Sequence, residues 1–370
     1  MARSPGQRVR VLVLVNGGPG SAMAIRARSF TRGLEDEFQI QVAYREENKV
    51  FSILRFLWRA ILFRPDLCYV LDMGYSGVLA AGIYSLPGRC RVVVDTGDAI
   101  YELSRLSGNR NSAALWLTKQ LERFALRISC RIVVRSHPHR EYLSSQGITA
   151  DVIPDGVDPD QFSPRRNPGL RRHYGLEGFT VIGVLGSVVW NPRWQMCYGW
   201  ELIEVIDRLR HLPVKGLLIG DGSGLPWLQA QCADKGLADR IVWLGRVPYE
   251  SLPPLLNLMD ICLSTQTNDV AGQVRTTGKL PLYLACGRFV LATAVGEAVR
   301  ILPAEMLLPY NGTKDTEYPG RLAARIQQLL EHPEPLQNCE PSRRIARNHF
   351  DYQLLTSRLR DTLRLTTGGE

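Results

Sequence analysis

The chain has 370 residues, 45% of them hydrophobic and 22% charged, with a formal net charge of +9. That length predicts two domains, each able to bury a full core, and the composition is ordinary for a soluble globular enzyme. No apolar run approaches the roughly 18 residues of a membrane span. The chain start carries Arg3 and Arg8 but no apolar stretch before VRVLVLV, so it does not read as a secretory signal.

The first half alternates strand and helix patterns. VRVLVLV (residues 9–15) is a short apolar run that ends at Asn16-Gly17-Gly18-Pro19-Gly20, a buried parallel strand entering a glycine loop. Residues 22–34 read as a helix and QIQVAY (39–44) as a strand. VFSILRFLWRAILF (50–63) has helical spacing, stopped by Arg64-Pro65, and LCYVLDM, RCRVVVD and CRIVVRS supply further strands. A linker rich in proline, glycine and charge follows at about 154–178, after which the pattern restarts. VIGVLGS, VKGLLIGDGSG, RIVWLG, DICLST and RFVLAT read as strands, with WELIEVIDRLRHL and LPWLQAQCADKG as helices among them. FDYQLLTSRLRDTLRL (350–365) is a closing helix that must pack on one of the domains. The expected fold is α/β: two Rossmann-like, doubly wound parallel-sheet domains facing a cleft. The expected boundaries are 1–165, 166–349 and a C-terminal helix, 350–370, packing back on the first domain.

Eight cysteines stand singly: Cys68, Cys90, Cys130, Cys197, Cys232, Cys262, Cys286 and Cys339. No C-x-x-C pair occurs, so neither a zinc site nor a disulfide framework is indicated, and a reducing cytoplasm is the expected compartment. The charge is uneven. Residues 1–170 hold 23 Lys/Arg against 16 Asp/Glu, and residues 171–370 hold 22 against 20. The basic first half fits contact with an anionic partner such as lipid headgroups or a phosphate-bearing acceptor; plain solubility is the equal alternative. No nucleic-acid module is recognisable.

Three blocks resemble the retaining GT-B glycosyltransferases of family 4. VIPDGVDPDQFSP (152–164) is similar to that family's interdomain signature, and residues 217–265 to its strand, G-D-G turn, helix and strand-glycine order. GKLPLYLACGRFVLAT (278–293) is similar to its helix ending in A-C-G and the strand beyond. The resemblance spans nearly the whole chain. It implies a GT-B fold, with the acceptor in the first domain and a nucleotide diphosphate sugar mainly in the second. It also implies transfer with retention and no metal or other cofactor.

A departing diphosphate must then be stabilised by Arg, Lys and backbone N–H groups. The Gly17-Gly18 loop is a candidate donor contact, with a tight strand-to-helix turn as its structural alternative. Gly186, Ser187 and Arg193 occupy the corresponding loop of the second domain; Arg193 is either a phosphate ligand or a surface arginine beside Trp190 and Trp194. Lys279 and Arg275 precede the A-C-G segment as phosphate candidates, with Thr276, Thr277 and Gly278 beside them. Arg246-Val247 falls where the family's backbone meets the nucleotide base, and Asp221-Gly222 reads as a structural turn. The family's two glutamates near the A-C-G fall on Val274 and Leu282 here. Asn268, Asp269 and Gln273 are the candidates to replace their contacts; weakened or lost catalysis is the alternative. Asp98 is a candidate for contacting acceptor hydroxyls, or an N-cap.

Asp158-Pro159-Asp160 reads as a turn rather than a metal site, and His137-Pro138-His139 as a helix N-terminus or surface pair. The helix around VFSILRFLWRAILFR, with Arg55, Arg59 and Arg64, is either packed or a membrane-surface element. The implied function is a glycosyltransferase using a nucleotide sugar and a lipid-linked, saccharide or small-molecule acceptor, in cell-surface polysaccharide or glycolipid synthesis. It would be cytoplasmic or peripheral on the inner membrane face. The alternatives are a small-molecule glycosyltransferase and a non-catalytic nucleotide-sugar-binding protein.

Overall fold

A computed structural model describes residues 8–86, 88, 90–108 and 110–367. Residues 1–7, on which the reading of the chain start rests, lie outside the described residues, as do 368–370 at the end of the closing segment.

Among the described residues, twelve parallel strands form two sheets, ten of them at the apolar runs. The first sheet contains β1 (Val9–Val15), β2 (Phe38–Tyr44), β3 (Leu67–Leu71), β4 (Arg91–Thr96), β5 (Arg131–Val134) and β6 (Asp151–Val152), in the order β2-β1-β3-β4-β5-β6. The second contains β7 (Thr180–Leu185), β8 (Val214–Ile219), β9 (Ile241–Gly245), β10 (Ile261–Ser264), β11 (Phe289–Thr293) and β12 (Leu307–Leu308), in the order β12-β11-β10-β7-β8-β9. Each order reverses direction once: between β1 and β3 in the first sheet, and between β7 and β10 in the second. Such switch points open a crevice at the carboxyl ends of the strands.

Helices of the first domain are α1 (Ala22–Thr31), α2 (Lys49–Phe63), α3 (Tyr75–Ser85), α4 (Ile100–Ser107), α5 (Ser112–Ile128) and α6 (His137–Ser144). Helix α1 starts where the Ser21 hydroxyl accepts the Ala24 N–H, and α2 where the Asn48 side chain accepts from Val50 and Phe51. These side chains satisfy first-turn amides that lack intrahelical partners.

The closing helix, Tyr352–Thr367, buries Leu355, Leu359 and Leu363 against Ala24, Ala27, Phe30 and Leu34 in the core of the first domain. The chain thus crosses between domains twice, and the crossings are bonded together: Val157 N–H donates to Phe350 O at 2.8 Å and Tyr352 N–H to Val157 O at 3.1 Å. Gly156 is required there, because a Cβ would stand 2.7 Å from the Tyr352 ring.

Beside this crossing lies a buried charge network. Arg26 donates to Asp95 Oδ2 from Nε and Nη2 at 3.0 and 2.7 Å, to Pro154 O at 2.6 Å, and to Ile153 O at 2.8 Å. Tyr69 donates its hydroxyl to the same Asp95 oxygen at 2.6 Å, and Arg135 lies 3.4 Å from Oδ1. Asp155 completes the set, 3.3 Å from Arg26 and 3.7 Å from Arg135. Burial opposes ionisation of Asp95, but the two guanidiniums outweigh it and hold its carboxyl below the usual range. Removing one partner leaves an uncompensated buried charge. Arg26→Met is therefore expected to destabilise the first domain by about 3–5 kcal/mol, read from the midpoint of its urea denaturation.

Candidate functional site

The two switch points face each other. On the first-domain side, β1 ends in Asn16-Gly17-Gly18. A Cβ on Gly17 would lie 2.4 Å from the Ser21 hydroxyl, so this glycine is set by the tight entry to α1, while a Cβ on Gly18 would meet open space. On the second-domain side, β7 ends in Gly186-Ser187-Val188, and this loop packs on the β8 turn. Cβ atoms on Gly220 and Gly222 would stand 1.9 Å from Gly186 O and 2.3 Å from Val188 O. The Asp221-Gly222 turn is structural in this sense, and Val188 N–H donates to Asp221 O at 3.0 Å.

Lys279 opens the short helix Lys279–Ala285 and reaches back toward this loop, its Nζ 3.8 Å from where a Gly186 Cβ would lie. The ammonium sits 3.4 Å from the centre of the Tyr198 ring. Burial pushes it down to about 7, against the Glu201 carboxylate, which raises it, and with Arg275 adding repulsion. Glu201 was missed in the sequence. It sits in the first turn of the helix Trp200–Arg208 and is fully buried. Burial pushes its carboxyl up, while Thr265 and Lys279 pull it down. The available signal was its place on the core face of that helix, beside Leu202 and Val205.

Polar contacts join the domains along the edge of the cleft. Arg275 Nε donates to Asp98 Oδ1 at 2.8 Å. Thr276 donates its hydroxyl to Arg135 O at 3.0 Å, and Ser136 donates its own to Val274 O. Glu297 accepts from the His137 backbone N–H and pairs with its ring, both at 2.7 Å. Asp98 does not cap α4, whose first amides at Ile100 and Tyr101 are taken by Glu122; the N-cap alternative is corrected by that contact. The histidine pair is also not a surface pair. His137 starts α6 and faces Glu297, whereas His139 is buried, and burial pushes its ring down to about 4.

The other sequence candidates fall as follows. Arg193 is exposed, stacked 5.5 Å from the Trp194 ring centre, with its stem against Gly108 of the first domain. Ser187 and Arg246 are exposed at the ends of β7 and β9, with Val247 partly buried beside Arg246. Thr277 lies 3.4 Å from the Ser264 hydroxyl. Asn268, Asp269 and Gln273 hold one another's loop. Asn268 Nδ2 donates to Tyr310 O and its Oδ1 accepts from Gln273, Asp269 accepts from Gly272 and Thr313, and Gln273 Oε1 accepts from Gly296. Val274 and Leu282 are buried, 2% and 6% exposed, so neither side chain is free in the cleft. The Asp158-Pro159-Asp160 string is a turn in which Asp158 accepts the N–H groups of Asp160 and Gln161.

Two doubly wound parallel sheets with facing switch points, and one lysine poised between them, are the GT-B architecture of glycosyltransferases. Residues 180–332 match the family model described as glycosyl transferases group 1. It is 26% identical over 295 residues to a 2-deoxystreptamine glucosyltransferase of Streptomyces kanamyceticus, covering 76% of this chain and 71% of that one. Over 173 residues it is 30% identical to a GDP-mannose-dependent alpha-(1-6)-phosphatidylinositol monomannoside mannosyltransferase of Mycolicibacterium smegmatis, covering 45% and 44% of the two chains. The structure of Anabaena HepE in complex with UDP-glucose superimposes with a TM-score of 0.73 at 19% identity, over 97% of this chain and all of that one.

An amine that titrates near 7 is a nucleophile at pH 7.5, when exposed lysines are still protonated. Limited acetylation at that pH is expected to mark Lys279 ahead of the other lysines, as read by peptide mass spectrometry. Glu201→Gln, which removes the charge that favours the ammonium, is expected to increase that labelling.

Proposed function

We propose that this glycosyltransferase takes a sugar from a nucleotide diphosphate bound mainly by the second domain and passes it to an acceptor held by the first. The observation that carries this reading is Lys279, a cation kept half-neutral by burial beside Gly186. A diphosphate that brings its own negative charge would restore the ammonium. The charge that grows on that diphosphate as the glycosidic bond breaks is then met by a preorganised partner. Arg275 and Arg193 lie along the same cleft and supply further positive charge. In this reading no metal is needed, because these side chains do the neutralising. Transfer with retention fits a cleft whose candidate carboxylate, Asp98, is already committed to Arg275, so that the donor's own phosphate takes the acceptor proton.

The acceptor side favours a setting at a membrane, in polysaccharide or glycolipid assembly. Helix α2 buries only Ser52, Phe56 and Ala60 and presents Val50, Phe51, Leu54, Trp58, Ile61 and Leu62 to solvent, each more than half exposed. Arg59 and Arg64 are exposed on the same element. No helix among the described residues is long and apolar enough to cross a bilayer. A large apolar strip with a basic border is the pattern of a helix that lies in the headgroup region. The mycolicibacterial relative, named for a phosphatidylinositol acceptor, fits this setting; the streptomycete relative, named for 2-deoxystreptamine, favours a small-molecule acceptor instead.

Thermal unfolding in EDTA with UDP, GDP, ADP and TDP and their sugars tests the donor reading. One base is expected to raise the transition, by about 2.7 kcal/mol of stability at a hundredfold excess over Kd. Lys279→Ala is expected to weaken that ligand roughly 10- to 100-fold, the worth of a charged hydrogen bond. No shift with any nucleotide from folded protein would overturn the donor assignment. The nucleotide sugar is a diester that does not titrate near neutrality. Its affinity is therefore expected to be flat below pH 7 and to fall above it, as the free protein loses the Lys279 proton that binding must put back. For the membrane setting, Trp58→Glu with Leu62→Glu is expected to abolish co-sedimentation with anionic vesicles while leaving nucleotide binding unchanged.

A further inference from the structure

The first-domain switch point holds a second cavity, of about 220 Å³, which none of the donor chemistry uses. Three cations from three separate elements line it: Arg45 just past β2, Lys49 at the start of α2, and Arg110 just before α5. Their positions are fixed locally. The Arg45 N–H donates to Val15 O and Gly17 O at 3.1 and 3.2 Å, which pins it across the β1 loop. Lys49 lies 5.7 Å from the centre of the Tyr75 ring, and Arg110 donates to the Tyr75 and Thr118 hydroxyls, both at 2.7 Å. None of the three is ion-paired among the described residues, and Arg45 Nε is buried with no hydrogen-bond partner. A buried donor without an acceptor costs free energy unless something else supplies one.

The acids in the cavity do not balance this charge. Asp98 is spent on Arg275. That leaves Asp72 as the one acid of the lining that faces three cations; burial raises its carboxyl, against the pull of Arg135. The backbone there is strained as well: Asp72 is a non-glycine residue at φ 66° in the left-handed region, a conformation that functional sites retain at a cost. Helix α3 begins beside it at Gly74 with no side-chain cap, so first-turn amides of an eleven-residue helix open on the same space. Gly74 cannot carry a side chain, because a Cβ would stand 2.0 Å from Asn16. At Tyr75 burial raises the phenol, yet hydrogen bonds from Thr118 and Arg110 and the charges of Arg110 and Lys49 outweigh it and bring the phenol down.

We propose that this cavity is the acceptor's anchoring subsite and that it takes a phosphate group, held by Arg45, Lys49 and Arg110 and by the first turn of α3. Three unpaired cations with free helix amides match a group carrying about −1.5 to −2 charges and three acceptor oxygens better than a carboxylate or a neutral hydroxyl. The location agrees with the role, since the cavity opens where Asn16 and Asp98 meet the cleft that holds Lys279. Lys49 is also followed directly by the exposed Val50 and Phe51 of α2, so one subsite accommodates either a soluble phosphate ester or the headgroup of a lipid lying on that helix. This inference rests on the glycosyltransferase reading for the word acceptor, but its anion chemistry stands without it.

The test is calorimetric binding to the full-length protein, with and without a saturating nucleotide diphosphate. The probes are inorganic phosphate, glycerol phosphate, inositol phosphate and monomeric dihexanoyl phosphatidic acid, each ester against its unphosphorylated parent. At least one phosphate ester is expected to bind at least tenfold more tightly than its parent, with nucleotide present. Lys49→Gln and Arg110→Gln, both at exposed positions, are each expected to weaken it about tenfold while nucleotide affinity stays the same; Arg110→Lys should recover part of the loss. Preference for the soluble esters identifies a soluble acceptor, and binding of phosphatidic acid alone identifies a lipid one. Equal binding of ester and parent, no binding of any phosphate probe, or variants that bind like the wild type would overturn the proposal. Phosphate binding without any nucleotide binding would leave this subsite standing and remove the donor reading, and the converse result would do the reverse.

Discussion

The ion network of Arg26, Asp95, Arg135 and Asp155 is what the geometry of the cleft hangs on. Four ionised groups are taken out of water where α1, β4, β5 and the interdomain crossing meet. Their desolvation is offset only because each has partners on more than one side, including the carbonyls of Ile153 and Pro154. The network therefore fixes the path of the chain as it leaves the first sheet. It also reaches the second domain. Arg135 carries the carbonyl that accepts from Thr276, and Asp155 lies 3.7 Å from where a Gly278 Cβ would be, one residue before Lys279. The segment carrying Arg275 and Lys279 is thus registered against the first domain by the same charges that hold the linker.

Contacts between the domains are polar throughout this edge: Asp98 with Arg275, Glu297 with His137, Ser136 with Val274. Polar interfaces of this kind exchange partners readily and permit relative motion of domains. Arg275 in particular has two possible uses for its charge. While it holds Asp98 it ties the domains together and keeps that carboxylate's charge compensated beside the first-domain cavity. Lys279 has no such carboxylate to leave, because Glu201 lies behind it outside ion-pair distance. Its charge is instead set by how much water and how much ligand it meets.

The strands and the order of the two domains were legible because parallel strands buried on both faces read as short apolar runs, as in VRVLVLV and RFVLAT. The two short edge strands, Asp151–Val152 and Leu307–Leu308, were not, since two residues make no pattern. Glycines stand at the ends of β1 and β7, beside the switch points. Side chains that act at a distance were harder. Arg26 sits in a short helix without a marked apolar face, and nothing nearby in sequence announces Asp95 as its partner, 69 positions away. Glu201 was hidden for the opposite reason: a glutamate in a helix reads as solvent-facing, and only the phase of its neighbours places it inside. Nothing in the sequence joins Arg45, Lys49 and Arg110, because the topology that gathers them depends on the β1–β3 reversal.

The buried Val274 and Leu282 acquire a physical meaning in this frame. Where the resemblance leads one to expect carboxylates for sugar hydroxyls, this chain places apolar side chains that pack inward, and Leu282 joins the core of the second domain. The polar residues nearest in sequence, Asn268, Asp269 and Gln273, spend their hydrogen bonds on one another and on the loops at Gly296 and Tyr310. The cleft is left dominated by cations and backbone amides. A site of that composition recognises its ligands by phosphate first and by sugar hydroxyls second. In the proposed reading, binding energy concentrates on the diphosphate of one substrate and, if the first-domain cavity takes the anion proposed for it, on a phosphate of the other. The two anionic groups would sit on opposite domains, with Arg275 and Asp98 between them. Closing the cleft would then bring the reacting ends together with little help from the sugar itself, which is the economy that loss of both carboxylates requires.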